Sequence, residues 1–214
     1  ACAPFRRLHL CSHNLESIDT TSTKNDLLAE VCMAAYHEGD SIKTHYTKHE
    51  EKYKETGTAS QLCTVLARSF ADIGDIVRGR DLYGGNKKKK QKETEREKLE
   101  DNLRKIFRNI YDKLLKDNQT NVNTLQERYK GDTDGNYYKL REDWWTENRE
   151  TVWKALTCKA DDSNRYFRAT CGSGKTATQA SHKCRCGDGK NETDQVPTYF
   201  DYVPQYLRWF EEWA

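Results

Sequence analysis

The segment QLCTVLARSFADIGDIVRGRDLY, residues 61–83, decides how the chain is read. Leu62, Val65, Leu66, Ser69, Phe70, Ile73, Ile76 and Val77 recur at three- and four-residue steps, the spacing of one broad helical face. In a chain whose mean hydropathy is −1.05, so apolar a segment belongs in the interior. Cys63 offers a covalent tie near its start, and Gly79 with the Gly84-Gly85 pair stops the helix and opens a loop. Ser60 is the expected N-cap. The segment reads as the central helix of a helical bundle.

On its N-terminal side, residues 1–23 read as a loop-rich arm holding Cys2, Cys11 and the basic pair Arg6-Arg7. A helix is expected from Lys24, turning Leu27, Leu28, Val31, Cys32, Ala35 and Tyr36 inward and resuming or continuing past Gly39. Thr56-Gly57-Thr58 should break it. On the C-terminal side, Leu99, Leu103, Ile106, Phe107, Ile110, Leu114 and Leu115 form the clearest amphipathic stripe, with Glu and Lys on the other face. A short helix with Val122, Leu125 and Tyr129 follows, then the turn cluster 131–135 and a long helix over 137–158. Residues 161–198 show little periodicity and need covalent ties. Pro204 opens a last helix, with Leu207, Phe210 and Trp213 on its apolar face. Trp144, Trp153 and Trp213 are expected in the core, Trp145 and Trp209 at the surface.

The fold class is therefore mainly α, a helical bundle with long irregular loops. Only 35% of the 214 residues are hydrophobic, yet 23 aromatic residues and only 3 prolines argue for a packed chain. No run approaches the ~18 apolar residues of a membrane span, and Ala1 opens no signal-peptide pattern. Both ends read as cut from something longer. Eight cysteines, Cys2, Cys11, Cys32, Cys63, Cys158, Cys171, Cys184 and Cys186, point to disulfides of undetermined pairing and an oxidising, extracellular setting. The competing reading is zinc held by Cys158, Cys171, His182, Cys184 and Cys186, but the paired C-x2-C spacing of such sites is missing. No cofactor is expected.

Net charge is +2, but it is unevenly placed. Residues 84–116 carry 12 Lys or Arg against 6 Asp or Glu, a local +6. Lys87, Lys88, Lys89, Lys90, Lys92, Arg96, Lys98, Arg104, Lys105 and Arg108 could form a basic face that binds polyanions by summed charge. The plainer reading is a solvated face partly neutralised by Glu93, Glu95, Glu97 and Glu100. Arg6, Arg7, Lys183 and Arg185 are second-rank basic candidates. ATCGSGKT, residues 169–176, formally fits a phosphate loop, with Lys175 and Thr176 as its functional residues. That mechanism needs a buried strand before the loop and a helix after it, and the flanking sequence supplies neither. The six histidines fall mainly on polar stretches and no cysteine has a catalytic context, so an enzyme is not expected. Asn118 and Asn191 open N-glycosylation patterns.

ARSFADIGDIVRGRDLY at 67–83, LREDWWTENRETVWKALTC at 140–158 and VPTYFDYVPQYLRWFEEWA at 196–214 resemble the blocks of a Duffy-binding-like domain. CAPFRRLHLC at 2–11 and DLLAEVCMAAYHEGDSIKTHY at 26–46 narrow the resemblance to the alpha class, at the head of the malaria parasite's erythrocyte membrane protein 1 adhesins. The resemblance implies a mostly helical fragment with residues 1–23 in the arm, 24–214 in the central bundle, and a third subdomain and upstream cysteines absent. It implies display on the infected red cell and adhesion to host receptors, causing cytoadherence or rosetting. Expected partners are heparan sulfate-like glycans, red-cell surface sugars or proteins, and host antibodies, with neither nucleic acid nor inserted membrane among them.

Overall fold

In a computed structural model, residues 2–52, 62–84, 94–118, 120–132, 135–172, 176–180, 182–187 and 196–214 are described. They form α1 (Phe5–Leu8), α2 (His13–Glu16), α3 (Lys24–Lys52), α4 (Leu62–Arg78), α5 (Glu95–Asp117), α6 (Val122–Arg128), α7 (Tyr138–Leu156) and α8 (Gln205–Trp213). A short 3-10 turn, Phe200–Tyr202, precedes α8. Among the described residues there are two isolated β-bridges outside these helices, Cys171 with Thr178 and His182 with Arg185.

Fourteen of the 17 residues of α4 are buried, so this helix is enclosed on nearly every side. α3 and α7 pack on it and on each other, α5 packs on α7, and α1, α8 and the 3-10 turn close the remaining side. Phe70 of α4 meets Trp145 and Trp153 of α7, each with ring centroids 5.1 Å apart. The central helix of the sequence reading is thus the centre of the molecule. Gly79 stops it at φ +72, a left-handed turn that glycine adopts without a Cβ penalty. The Ser60 cap and the break at residues 56–58 lie outside the described residues.

α3 runs unbroken past Gly39, and that glycine sits where α3 crosses α7. A Cβ there would stand 1.9 Å from the Leu156 carbonyl oxygen. α5 begins with a capping box: the Thr94 hydroxyl accepts from Glu97 N–H and the Glu97 carboxylate accepts from Thr94 N–H. Its Leu99, Leu103, Ile106, Phe107 and Ile110 are buried, as the stripe requires. Asp132 caps α7 by accepting from the backbone N–H of Lys139 and Leu140.

The sequence reading of the last helix and of three tryptophans is corrected. α8 buries Gln205, Arg208 and Trp209 and turns Leu207, Phe210 and Trp213 outward. Trp145 and Trp209 are fully buried, whereas Trp213 is 62% exposed. The reason is electrostatic. The side of α4 facing α8 carries Asp72 and Asp75, so α8 presents the residues that can donate hydrogen bonds to them.

Two disulfides hold the irregular segment after α7. Cys63–Cys184 ties it to the start of α4, and Cys171–Cys186 closes it on itself. Trp153 Nε1–H donates to the Cys184 carbonyl at 3.1 Å, fixing the same point by hydrogen bonding. These bonds consume three of the sulfurs that the zinc reading required. The other four expected disulfide cysteines, Cys2, Cys11, Cys32 and Cys158, are thiols here. Cys2 faces solvent beside Trp213, while burial and neighbouring Glu38 push the Cys11 thiol up to about 11. Cys32 is half-buried on α3 and Cys158 is exposed past the end of α7.

Candidate functional site

The basic candidates divide by the work their charges do. Lys87, Lys88, Lys89, Lys90 and Lys92 lie outside the described residues. Lys98, Lys105 and Arg108 stand on the outward side of α5, opposite the Leu99–Ile110 stripe, with Arg104 at its edge. Arg104 pairs with Glu100 at 3.5 Å and Lys105 with Asp101 at 2.6 Å, both one turn away. Glu100 is also drawn inward by Arg141, whose two terminal nitrogens hold it at 2.6 and 3.0 Å. Among the described residues no carboxylate pairs with Lys98 or Arg108. Arg96 turns back to donate to the Tyr83 carbonyl at 3.0 Å and joins α5 to the end of the α4 turn. Arg96, Arg104 and Glu97 line an open groove of about 510 Å³ with Gly84 and Asp101.

Three of the four second-rank candidates are built into the fold. Arg6 donates to Ser69 at 3.0 Å, Asp72 at 2.7 Å and both oxygens of Glu212 at 3.0 and 2.9 Å. Burial pulls its pKa down, but Asp72 and Glu212 outweigh that and raise it. Arg7 pairs with Asp81 and lies 4.7 Å over the Tyr83 ring. Arg185 donates to Thr157 Oγ1 and to the Lys154 carbonyl, both at 2.7 Å, and burial lowers its pKa. Lys183 is half-buried in a left-handed turn with φ 50. Arg6, Arg7 and Arg185 thus serve the arm or the disulfide-tied segment.

Sequence reasoning missed the charged cluster beneath the arm. Asp72 accepts from Arg6, Arg208, Gln205 and Trp209, and Asp75 accepts from Arg78 and Arg208. Burial pushes the Asp72 carboxyl up, but Arg6 and Arg208 overcome it and hold the group below the usual carboxylate range. Asp75 keeps a raised pKa because burial outweighs Arg208 and Arg78. Asp201, buried at the 3-10 turn, accepts from Trp145 Nε1–H and from Arg149 at 2.9 Å each. The outward side of this region is apolar: Phe5, Tyr199, Tyr206, Leu207, Phe210 and Trp213 are all exposed.

The phosphate-loop match fails structurally. Cys171 and Thr178 exchange both backbone hydrogen bonds at 2.9 Å, and among the described residues no strand leads into Cys171 and no α-helix opens between Thr178 and Gly187. Ser173 to Lys175 lie outside the described residues, and Thr176 is exposed. Among the described residues no cluster of three His, Cys, Asp or Glu could hold a metal, and no helix is long and apolar enough to cross a membrane.

The framework is a disulfide-tied helical bundle with charged side chains buried inside and apolar and basic faces outside. Comparison with known proteins gives the class its name. The Duffy binding domain model matches residues 1–208, and the chain belongs to that family. It is 42% identical to the NTS-DBL1(alpha-1) domain of Plasmodium falciparum membrane protein 1 (PfEMP1), covering 100% of this chain and 43% of that one at a TM-score of 0.70. Against the NTS-DBL1-alpha and CIDR-gamma double domain of PfEMP1 it is 45% identical, covering 100% of this chain and 27% of that one at a TM-score of 0.74. An ICAM-1-binding DBLbeta domain of PfEMP1 is 31% identical over 97% of this chain and 41% of its own, at a TM-score of 0.63. The Duffy receptor gamma form of Plasmodium knowlesi is 22% identical over all of this chain, which spans 15% of that receptor's length. These relatives are receptor-binding domains, not enzymes.

Proposed function

We propose that the chain is a host-cell adhesion module of a variant surface antigen, displayed on the infected erythrocyte as part of a larger membrane-anchored protein. Its outward α5 face takes sulfated glycans such as heparan sulfate in rosetting or cytoadhesion. The observation that carries this reading is the placement of Lys98, Arg104, Lys105 and Arg108 on one exposed helical side, in the segment with the local +6 charge. Sulfate groups spaced along a flexible polyanion can meet such a row without a shaped pocket. The lysines at 87–90 and 92 precede this helix in sequence and belong to the same positively charged segment. Host antibodies meet the same exposed surface.

The test is heparin affinity across a salt series, comparing the wild type with Lys98→Ser/Arg104→Ser/Lys105→Ser/Arg108→Ser. Weaker binding with a shallower salt slope supports the face. Unchanged tight binding removes it.

A second reading is favoured by the exposed apolar group on α8 and around it. Phe210 is 74% exposed, with Tyr206, Leu207, Trp213 and Tyr199 also open to solvent. Exposed apolar and aromatic side chains of this kind suit a protein receptor better than a sulfated sugar. Receptor binding lost on Phe210→Ser, with heparin affinity intact, would favour it.

A further inference from the structure

Most buried acids of this fold have a counter-charge. Asp72 and Asp75 pair with Arg208, Asp81 with Arg7 and Asp201 with Arg149. Asp132 sits at the N-terminus of α7, where backbone N–H groups meet it. Glu38 has neither. It lies in the middle of α3, 3% exposed, and accepts from the Cys11 backbone N–H at 3.0 Å and the Ser69 hydroxyl at 2.6 Å. Among the described residues no basic side chain pairs with it. Arg6 donates to Ser69 from the other side, but its guanidinium is held by Asp72 and Glu212. A buried carboxylate with hydrogen bonds and no counter-charge keeps much of its desolvation cost. Burial and this negative charge together push the neighbouring Cys11 thiol up.

Glu38 lines a groove of about 740 Å³ between the arm, α3 and the start of α4. Phe5 and His9 of the arm, Ile42, His45 and Tyr46 of α3, and Val65 of α4 make its walls. The Phe5 and His9 ring centroids stand 4.3 Å apart. The groove has the size of a small-molecule site. Glu38, His9 and His45 form no group that could hold a metal ion. Aromatic rings around a buried carboxylate are complementary to a positive charge on an apolar stem. A planar cation gains most, since it can stack on a ring and give two N–H groups to one carboxylate.

We propose that this groove binds an organic cation of the amidinium or guanidinium class, with Glu38 as its counter-ion and Phe5 and Tyr46 as its aromatic walls. Phe5 is 72% exposed, so the groove opens to solvent. Free amidines and arginine side chains carry the same planar group, and both can enter. The lining includes neither the basic side chains of α5 nor the outward side chains of α8, so the groove is distinct from those two faces.

The experiment is calorimetric titration of the whole chain at pH 8 with benzamidine, and with benzamide as its uncharged counterpart. The expected result is one saturable site for benzamidine and no binding of benzamide. The His9 and His45 ring resonances should shift with saturation, while that of His13, exposed on α2, stays in place. Glu38→Gln should weaken benzamidine binding by at least about tenfold, through loss of a charge-assisted hydrogen bond. His45→Lys, at an exposed position, sets a positive charge at the groove and should weaken binding as well, so the proposal stays testable if Glu38→Gln disturbs the arm. An acetylated Gly-Gly-Arg-Gly-Gly amide that competes with benzamidine places the cation on a protein partner. Failure of the peptide to compete assigns the site to a free small molecule. Equal affinity for benzamide, unchanged affinity in both variants, or no benzamidine binding at all overturns the proposal, and Glu38 then serves only to hold the arm.

Discussion

Arg208 on α8 and Asp72 on α4 form a fully buried ion pair at 2.8 Å, and Arg6 from the arm joins the same carboxylate at 2.7 Å. Asp72 thus binds together three segments that are far apart in sequence. Removing one partner from such a cluster leaves an unpaired buried charge, which costs about 3–5 kcal/mol. Asp72→Ala is expected to destabilise by that amount in urea unfolding and to loosen the arm and α8 together. Hydrogen exchange should report the loss in α8 amides before those of α7. Equal exposure of both helices would show that the cluster does not hold α8 specifically.

The two acids of α4 should respond oppositely to pH. Asp72 has a depressed pKa, so its contribution is present above the unfolded value of about 3.9 and is lost as pH falls through the folded value. Asp75 has a raised pKa, so its contribution is present below about 3.9 and is lost as pH rises through the folded value. Asp72→Asn should therefore flatten the acid limb of stability against pH, whereas Asp75→Asn should steepen it. At neutral pH Asp75→Asn should also be the milder change. Identical acid limbs for the two variants would contradict this assignment.

Gly39 and Gly74 are helical glycines where alanine would normally stabilise by about 1 kcal/mol. Here the sign reverses. At Gly39 a Cβ meets backbone, the Leu156 carbonyl, and at Gly74 it stands 2.7 Å from the Trp145 ring. Gly39→Ala must separate α3 from α7, and a destabilisation of about 3 kcal/mol is expected. Gly74→Ala displaces a side chain and should cost about 1–2 kcal/mol. A urea midpoint equal to or above the wild type for Gly39→Ala would refute the crossing geometry.

The two disulfides close loops of very different length, with sequence separations of 121 and 15 residues. Chain-entropy reasoning gives about 3 kcal/mol for a 15-residue loop and about 4.7 for a 100-residue one. Cys63→Ser/Cys184→Ser should accordingly lower stability more than Cys171→Ser/Cys186→Ser. The first pair also removes the tie that positions the Trp153 hydrogen bond. Denaturant titration of both double variants decides it, and the reverse order would show that local packing outweighs loop length.

Helix positions were legible wherever apolar spacing carried the signal. The stripe Leu99 to Ile110 and the face Leu62 to Val77 required nothing beyond a period of 3.6 residues. α8 was not legible by that rule. Leu207, Phe210 and Trp213 share a face in the sequence, yet the buried face is Gln205, Arg208 and Trp209. Its orientation depends on Asp72 and Asp75, which lie more than a hundred residues away and whose burial no local pattern announces. The basic row on α5 was visible as charge. Sequence did not reveal that Arg6, Arg7 and Arg185 serve internal partners, because their acceptors come from distant segments or from backbone carbonyls.

Trp209 and Trp213 give the sharpest contrast within one helix. Trp209 is 1% exposed and its Nε1–H donates to Asp72 at 3.3 Å. Trp209→Ala is expected to cost about 3–5 kcal/mol, the range for a large buried side chain. Trp213 is 62% exposed and its Nε1–H reaches only the Cys2 carbonyl at the surface. Trp213→Ala should stay within about 0.5–1 kcal/mol of the wild type, as surface substitutions usually do. If the apolar surface of α8 engages a protein receptor, Trp213→Ala should instead weaken binding to host-cell receptors by at least about tenfold, the effect of losing about 1.4 kcal/mol at an interface anchor. Stability and binding measured on the same variant separate a structural tryptophan from a recognition one. A large stability loss for Trp213→Ala would mean that the outward face of α8 is buried in solution.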